Sequence, residues 1–325
     1  MAGNSFISNS NRPNMTKKKL LKLVLYVVIL VAAIDVGTGW GFHWFMRSHS
    51  IPGDYGKIEY MLKDVDVQIL LLGASTCMNS INPELLEKEL GKSVFNGGLN
   101  DQRLKFFDVM TDAILKRSHP ELLVLVLRRN DLVISSNGRL AMMNIYYHLG
   151  NKKLDKYLNN DSLLQKILLS SSLYRFNTYW WRIMLYHFKS FEELAHRGFV
   201  AKPVPPILPR RVDISPSDAD INVPSVNPQK LQCLENILAA CREAGTRLWI
   251  VITPEFITLD NGQEFCDSLL IREFCQKNNI TFFDHSQHPD FMDHPEYFYD
   301  NNHLNGNGAI IYTQLFMKML QNEGL

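Results

Sequence analysis

The chain predicts an α/β fold: a three-layer α/β/α sandwich built on a five-stranded parallel sheet, with a helical insertion and one transmembrane helix ahead of it. Three observations lead there. Short apolar runs alternate with helical segments from residue 65 onward. A stretch rich in Leu, Tyr, Trp and Pro, about 132–227, interrupts that alternation once. An apolar segment, LLKLVLYVVILVAAIDVGTGWGFHWF at 20–45, precedes everything else.

Composition agrees with a globular domain: of 325 residues, 46% are hydrophobic and 21% charged. The 34 basic and 33 acidic side chains leave a net charge of +1, too little to attract nucleic acid, so no nucleic-acid partner is expected.

Residues 1–19 are polar and end in Lys17, Lys18 and Lys19. As a helix, segment 20–45 is roughly 39 Å long, enough to cross a hydrocarbon core of about 30 Å with tilt. Trp40, Phe42, Trp44 and Phe45 gather at its far end as an interfacial belt. The lysines place the N-terminus in the cytoplasm and the rest of the chain outside. Lys22 snorkels to the near interface. Asp35 has two readings: an acid at the outer headgroup level, or a functional acid inside the membrane. Ala32-Ala33 followed by Ile34-Asp35 is a poor cleavage site, so an uncleaved anchor is expected rather than a signal peptide. Residues 46–64 read as a juxtamembrane connector and 65–325 as one domain.

The elements of that domain follow in order. Val67–Leu72 is a continuous apolar run, hence a strand buried on both faces. Pro83–Leu90 is a helix, with Asn82 as N-cap and Pro83 in the first helical position. Ser93–Asn96 is a short strand, Arg103–Ser118 a helix, and ELLVLVL at 121–127 the strongest buried strand. After the insertion come a helix at Pro228–Ala244, a strand at 247–253, a helix at Gly262–Lys277, a strand at 280–284 and a last helix at Asn307–Gln321. The insertion begins with helices over Arg139–Arg197, whose aromatic YWW run at 179–181 serves either as a lid or as packing. It ends in the extended, Pro-rich AKPVPPILPRR.

The five cysteines, Cys77, Cys233, Cys241, Cys266 and Cys275, form neither a disulfide framework nor a zinc pattern. Cys233 and Cys241 share one helix, as do Cys266 and Cys275, at spacings too long to bridge; a cross-pair between the two helices stays open. Cys77 reads as a small buried filler. His285, His288 and His294 lack metal spacing and read as surface residues. No metal or cofactor is expected.

Two motifs carry chemistry. VQILLLGASTC at 67–77 runs a strand into a tight turn, placing Ser75 at the C-terminal end of the sheet, where open α/β folds hold their sites. FYDNNHLNGNGA at 298–309 holds Asp300 and His303 in a D-x-x-H spacing, so that a carboxylate can fix the tautomer of an imidazole. Taken singly, Ser75 reads as a turn residue, Asp300 as a cap and His303 as a surface histidine. Taken together they read as nucleophile, orienting acid and base.

These residues resemble the SGNH (GDSL-type) hydrolase superfamily, whose four blocks sit on a five-stranded, flavodoxin-like α/β/α fold. The blocks here are Gly73-Ala74-Ser75-Thr76, VFNGGLND at 94–101, LRRND at 127–131 and Asp300-x-x-His303. The resemblance covers about residues 65–321 and implies catalytic roles for Ser75, Asp300 and His303. It implies an oxyanion hole from the Ser75 N–H and the Asn130 amide. Aligning Asn96 with the start of the second block puts the family's oxyanion glycine at Asp101, with Gly98 nearby but out of register. Arg128 stands where the family has glycine, so Arg128 and Arg129 either bind an anionic acceptor or pair with acids at the sheet edge.

An N-terminal anchor with an outward domain of this type is similar to proteins that O-acetylate exopolysaccharide or D-alanylate teichoic acid beside a multi-span membrane acyltransferase. The resemblance therefore implies a serine esterase or acyltransferase on the outer face of a bacterial cytoplasmic membrane. Its substrates would be small acyl esters, acetyl above all, of an envelope or exported polysaccharide. Two alternatives stand beside it: a catalytically silent domain that binds glycan or scaffolds an envelope complex, and a lipase for long acyl chains.

Overall fold

A computed structural model describes residues 16–48, 53–133, 136–159, 162–177, 180–181, 184, 196–214, 226–259 and 266–325. Residues 1–15, Tyr179 and residues 262–265 of the expected helix lie outside the described residues.

Helix α1 (Lys17–Ser48) is followed by α2 (Gly53–Lys63), β1 (Ile69–Gly73), α3 (Ser75–Ser80), α4 (Pro83–Leu90), β2 (Val94–Asn96), α5 (Leu104–Leu115) and β3 (Leu122–Leu127). The insertion supplies a 3₁₀ helix (Leu140–Leu149), α6 (Lys152–Asn159), α7 (Leu163–Ser170), α8 (Ser172–Phe176) and β4 (Val212–Ile214). Then come α9 (Pro228–Ala244), β5 (Arg247–Ile252), β6 (Ile257–Leu259), α10 (Cys266–Asn278), β7 (Thr281–Asp284), α11 (Pro289–Met292), β8 (Phe298–Asp300), β9 (His303–Leu304) and α12 (Gly306–Asn322).

The central sheet has five parallel strands in the order β2-β1-β3-β5-β7. Successive side chains of a strand point to opposite faces, and both faces are covered. Leu70, Leu72, Leu123, Leu125 and Ile250 pack with α2, α5, α9 and α10. Ile69, Leu71, Val124, Val126 and Trp249 pack with α4 and α12. The expected sandwich is therefore present, strand for strand.

The Asn82 cap read from sequence is formed, and a second cap of the same kind opens α9. Asn82 accepts from the Glu84 N–H and Asn227 from the Gln229 N–H, each at 3.0 Å, with a proline opening the helix in both cases.

Three local differences stand out. Residues 53–63, expected within a connector, are helix α2, and Tyr55, Lys57, Ile58 and Met61 on it are buried in the core. The Pro-rich tract leads into β4, which pairs in parallel with β6 as a small second sheet that local pattern does not announce. His285, expected at the surface, is buried, and its Nδ1 lies 2.9 Å from the Tyr312 hydroxyl; burial, helped by His288, pushes it down to about 4.

Within α1, Lys17–Met46 is long and apolar enough to cross a membrane, with a mean hydropathy of 2.4 over its most apolar 18 residues. Asp35 on this helix is half-exposed and hydrogen-bonded to the insertion. It accepts from Ser171 Oγ at 2.7 Å and from the Leu173 and Ser172 N–H groups at 2.8 and 3.1 Å.

Cys77, Cys233, Cys241 and Cys275 are free and buried; the Cys266 side chain lies outside the described set.

Candidate active site

The strand order reverses direction between β1 and β3, and open α/β sheets hold their ligands in the crevice at such a switch point. Gly73 is in register with Val126, so the chain leaving β1 at Ser75 and the chain leaving β3 at Arg128 emerge side by side. Ser75 is half-exposed at the head of α3, and the five residues behind it are buried.

Asp300 and His303 arrive from the other end of the chain on the hairpin β8–β9, directly opposite each other in the ladder. Asn301 and Asn302 make the turn. Asp300 Oδ1 accepts the N–H groups of Asn302 and His303 at 2.8 and 3.0 Å, an Asx-type turn that settles the carboxylate. Asn301 Nδ2 donates to the carbonyls of Arg210 and Phe256, at 2.7 and 3.1 Å, and ties the hairpin tip to the Pro-rich tract before β4 and to the loop after β5. Behind the hairpin, buried Asn305 caps α12 by accepting from the Asn307 and Gly308 N–H groups, while its Nδ2 donates to the Glu296 carbonyl at 2.7 Å.

The three side chains meet. Ser75 Oγ lies 2.8 Å from His303 Nε2, and His303 Nδ1 lies 2.8 and 3.0 Å from the two oxygens of Asp300. Partial burial pulls the Asp300 carboxyl upward, but the hydrogen bonds from His303 and from the Asn302 N–H outweigh it and hold Asp300 below the usual carboxylate range. An ionised carboxylate on Nδ1 leaves Nε2 as the acceptor for the serine proton. The arrangement can thus activate a hydroxyl for attack on a carbonyl carbon.

The surrounding positions are resolved unequally. The Ser75 N–H stands in the first turn of α3, where helix N–H groups have no intrahelical acceptor. Asn130 sits in the turn after β3, and its Oδ1 is buried with no hydrogen-bond partner among the described residues. Gly98 corrects one expectation. Its N–H donates to Asn96 Oδ1 at 2.9 Å and points inward, so it is not a free oxyanion donor. Asp101 adopts a left-handed φ of 52°, and its carbonyl accepts the Arg139 N–H at 3.0 Å.

Arg129 Nε pairs with the buried Glu255 at 3.0 Å; burial pushes that carboxyl up against the pull of Arg129. The sheet-edge reading therefore describes Arg129. Arg128 differs, because its buried Nε and Nη2 have no hydrogen-bond partner among the described residues. Asp131, quoted within the third block without a role, organises this turn. It accepts Arg103 Nη1 at 2.8 Å and the Arg128 N–H at 2.9 Å, and burial pushes it up to about 6 against the pull of Arg103.

Two further supports escaped the sequence. Asn96 Nδ2 donates to the carbonyls of Cys77 and Ile81, at 2.8 Å each, and so braces α3. Buried Lys57 donates to the carbonyls of Gly98 and Gly198, at 2.5 and 2.6 Å, and holds the 97–99 loop from α2. Cys77 is a filler as expected, since burial pushes its thiol up to about 12.

Fold and site together define an α/β protein with the sheet order β2-β1-β3-β5-β7 and with Ser75, His303 and Asp300 hydrogen-bonded in line at its switch point. Neither a protein-family model nor a curated protein matches the chain. Among solved structures, the chain is similar to the crystal structure of a candidate acylhydrolase from Bacteroides fragilis NCTC 9343, at 10% identity and a TM-score of 0.40, covering 82% of this chain and 94% of that one.

Proposed function

We propose that this chain is a membrane-anchored serine esterase or acyltransferase of the SGNH type. The observation that carries the proposal is the continuous hydrogen-bonded line from Ser75 Oγ through His303 to Asp300.

In this reading Ser75 Oγ attacks the carbonyl carbon of an ester while His303 Nε2 takes its proton. The Ser75 N–H and the Asn130 amide receive the oxyanion. Collapse of the tetrahedral intermediate expels the alcohol, which leaves with the proton from His303, and the acyl group stays on Ser75. Water then completes a hydrolysis, or a sugar hydroxyl completes a transfer. The acyl group is small, acetyl above all, and the substrate is a cell-envelope or exported polysaccharide. Arg128, whose Nε and Nη2 are buried beside the site and unpartnered among the described residues, is the candidate for an anionic group on that substrate.

Helix α1 anchors the chain in a bacterial cytoplasmic membrane with Lys17–Lys19 inside and the domain outside. One span cannot carry acyl groups across, so transfer implies a multi-span membrane acyltransferase as partner. The inward N–H of Gly98 favours a second reading, a silent glycan-binding or scaffolding domain, because it leaves the oxyanion one donor short.

A fluorophosphonate probe on the full-length protein in detergent separates the two. Labelling that disappears in Ser75→Ala supports the enzyme. Absence of labelling in the wild type leaves only the silent domain.

A further inference from the structure

The outer half of α1 does not end in a free linker. It is packed against the insertion. Asp35 accepts three hydrogen bonds from the start of α8, from Ser171 Oγ and the N–H groups of Ser172 and Leu173. Two turns further on, Phe42 stacks on Phe176 with ring centroids 4.8 Å apart. Between them Gly39 faces Ser172 so closely that a Cβ would collide with its Oγ. Helix α8 therefore runs alongside α1 in the same direction, starting level with Asp35.

That fixes a height. Counted from Leu20, where the apolar run begins, Asp35 lies about 22 Å and Trp40 about 30 Å along the helix, so the far boundary of an apolar layer about 30 Å thick falls little more than a turn beyond Asp35. The junction of α7 and α8, at Ser170–Ser172, is at the same level. There the insertion exposes apolar side chains: Leu163 at 73%, Leu164 at 66% and Ile167 at 58% on one face of α7, Leu173 on α8, and Trp180 and Trp181 beyond. A groove of about 640 Å³ between α1 and α8, lined by Thr38, Phe42, Leu173, Phe176 and Trp180, continues this surface onto α1. An exposed apolar patch of this kind marks an interaction surface, and indoles at the layer boundary suit a lipid interface.

We infer that the α7–α8 part of the insertion is embedded in the outer leaflet of the membrane that α1 crosses, with lipid tails in the groove. The occupant is lipid because the patch is continuous with the bare apolar surface of α1 and lies at the height where that layer ends. The inference rests on the anchor reading given above. The domain is then held against the bilayer at two places and turns one fixed side toward it.

The test uses the full-length chain in phosphatidylcholine vesicles, with Cys266→Ser and a single added cysteine carrying an environment-sensitive fluorophore; Cys77, Cys233, Cys241 and Cys275 are buried from the reagent. Probes at Leu164 and Ile167 are compared with Leu25 in α1 and with Ile207, which is 84% exposed. The expected result is blue-shifted emission and loss of signal to nitroxide-bearing lipid at 164 and 167, as at 25, with position 207 quenched only by aqueous iodide. Behaviour at 164 and 167 like that at 207, while 25 stays lipid-quenched, overturns the inference and leaves the anchor standing. Shielding from both quenchers also overturns it, because a protein surface then covers the patch. Loss of lipid quenching at 25 itself overturns the anchor reading and the inference with it.

Discussion

Ser75 Oγ and His303 Nε2 lie 2.8 Å apart although 228 positions of chain separate them. Ser75 is delivered by the end of β1 and His303 by a hairpin pinned to the loop after β5, so the pair forms only when the whole sandwich is assembled. Replacing either residue by alanine should reduce turnover of a small acetyl ester to background. Asp300→Asn should lower kcat by about 10⁴-fold, because the imidazole loses its orienting carboxylate. Turnover in Asp300→Asn equal to wild type would refute the relay.

Asn130 and Gly98 should separate cleanly. Asn130→Ala should cost about 10² to 10³ in kcat, the usual loss for one oxyanion donor, with an unchanged melting temperature. Gly98→Ala should act on stability instead, since a Cβ there would collide with the Met78 backbone nitrogen; the expected cost is about 1–3 kcal/mol. Thermal melts and kinetics on the same two preparations decide it.

The Asp300 carboxyl is held below its ordinary value of 3.8 in the folded chain, so its sign is that of a depressed acid. Its contribution to stability is complete above the unfolded value and is lost as pH falls through the lower folded value. A stability deficit of Asp300→Asn against wild type should therefore be visible at neutral pH and fade below about pH 4. A deficit that grows on acidification would contradict the hydrogen-bonded carboxylate.

Lys57 supports the site from α2. Lys57→Met should leave the Gly98 and Gly198 carbonyls without their donor, at about 1–3 kcal/mol for each buried acceptor. Hydrogen exchange should show the 97–99 loop opening more readily than in wild type, with protection in β5 unchanged. Uniform loss of protection would mean a general core defect instead.

The sheet was legible because its signals are local. Runs such as Leu122–Leu127 are apolar without alternation, which only a strand covered on both faces tolerates, and Asn82-Pro83 announces a helix start through a cap that spans three residues. Helix α2 was not legible, since GDYGKIEYMLK has mixed polarity and its burial comes from α5 and from partners for Lys57 far along the chain. His285 looked like a surface residue for the same reason: its Tyr312 partner is on α12.

The sequence by itself determined the α/β alternation and the apolar N-terminal helix, and it singled out Ser75, Asp300, His303 and Asn130 as candidates, because strand period, hydrophobic length and short motifs are carried by neighbouring residues. Only the tertiary structure decided that Gly98 turns its N–H inward to Asn96, that Arg129 answers Glu255 while Arg128 does not, and that Asp35 accepts hydrogen bonds from the insertion. Each of those outcomes depends on which donor meets which acceptor after distant segments pack, and a hydrogen bond a few ångströms long carries no trace in the spacing of residues along the chain.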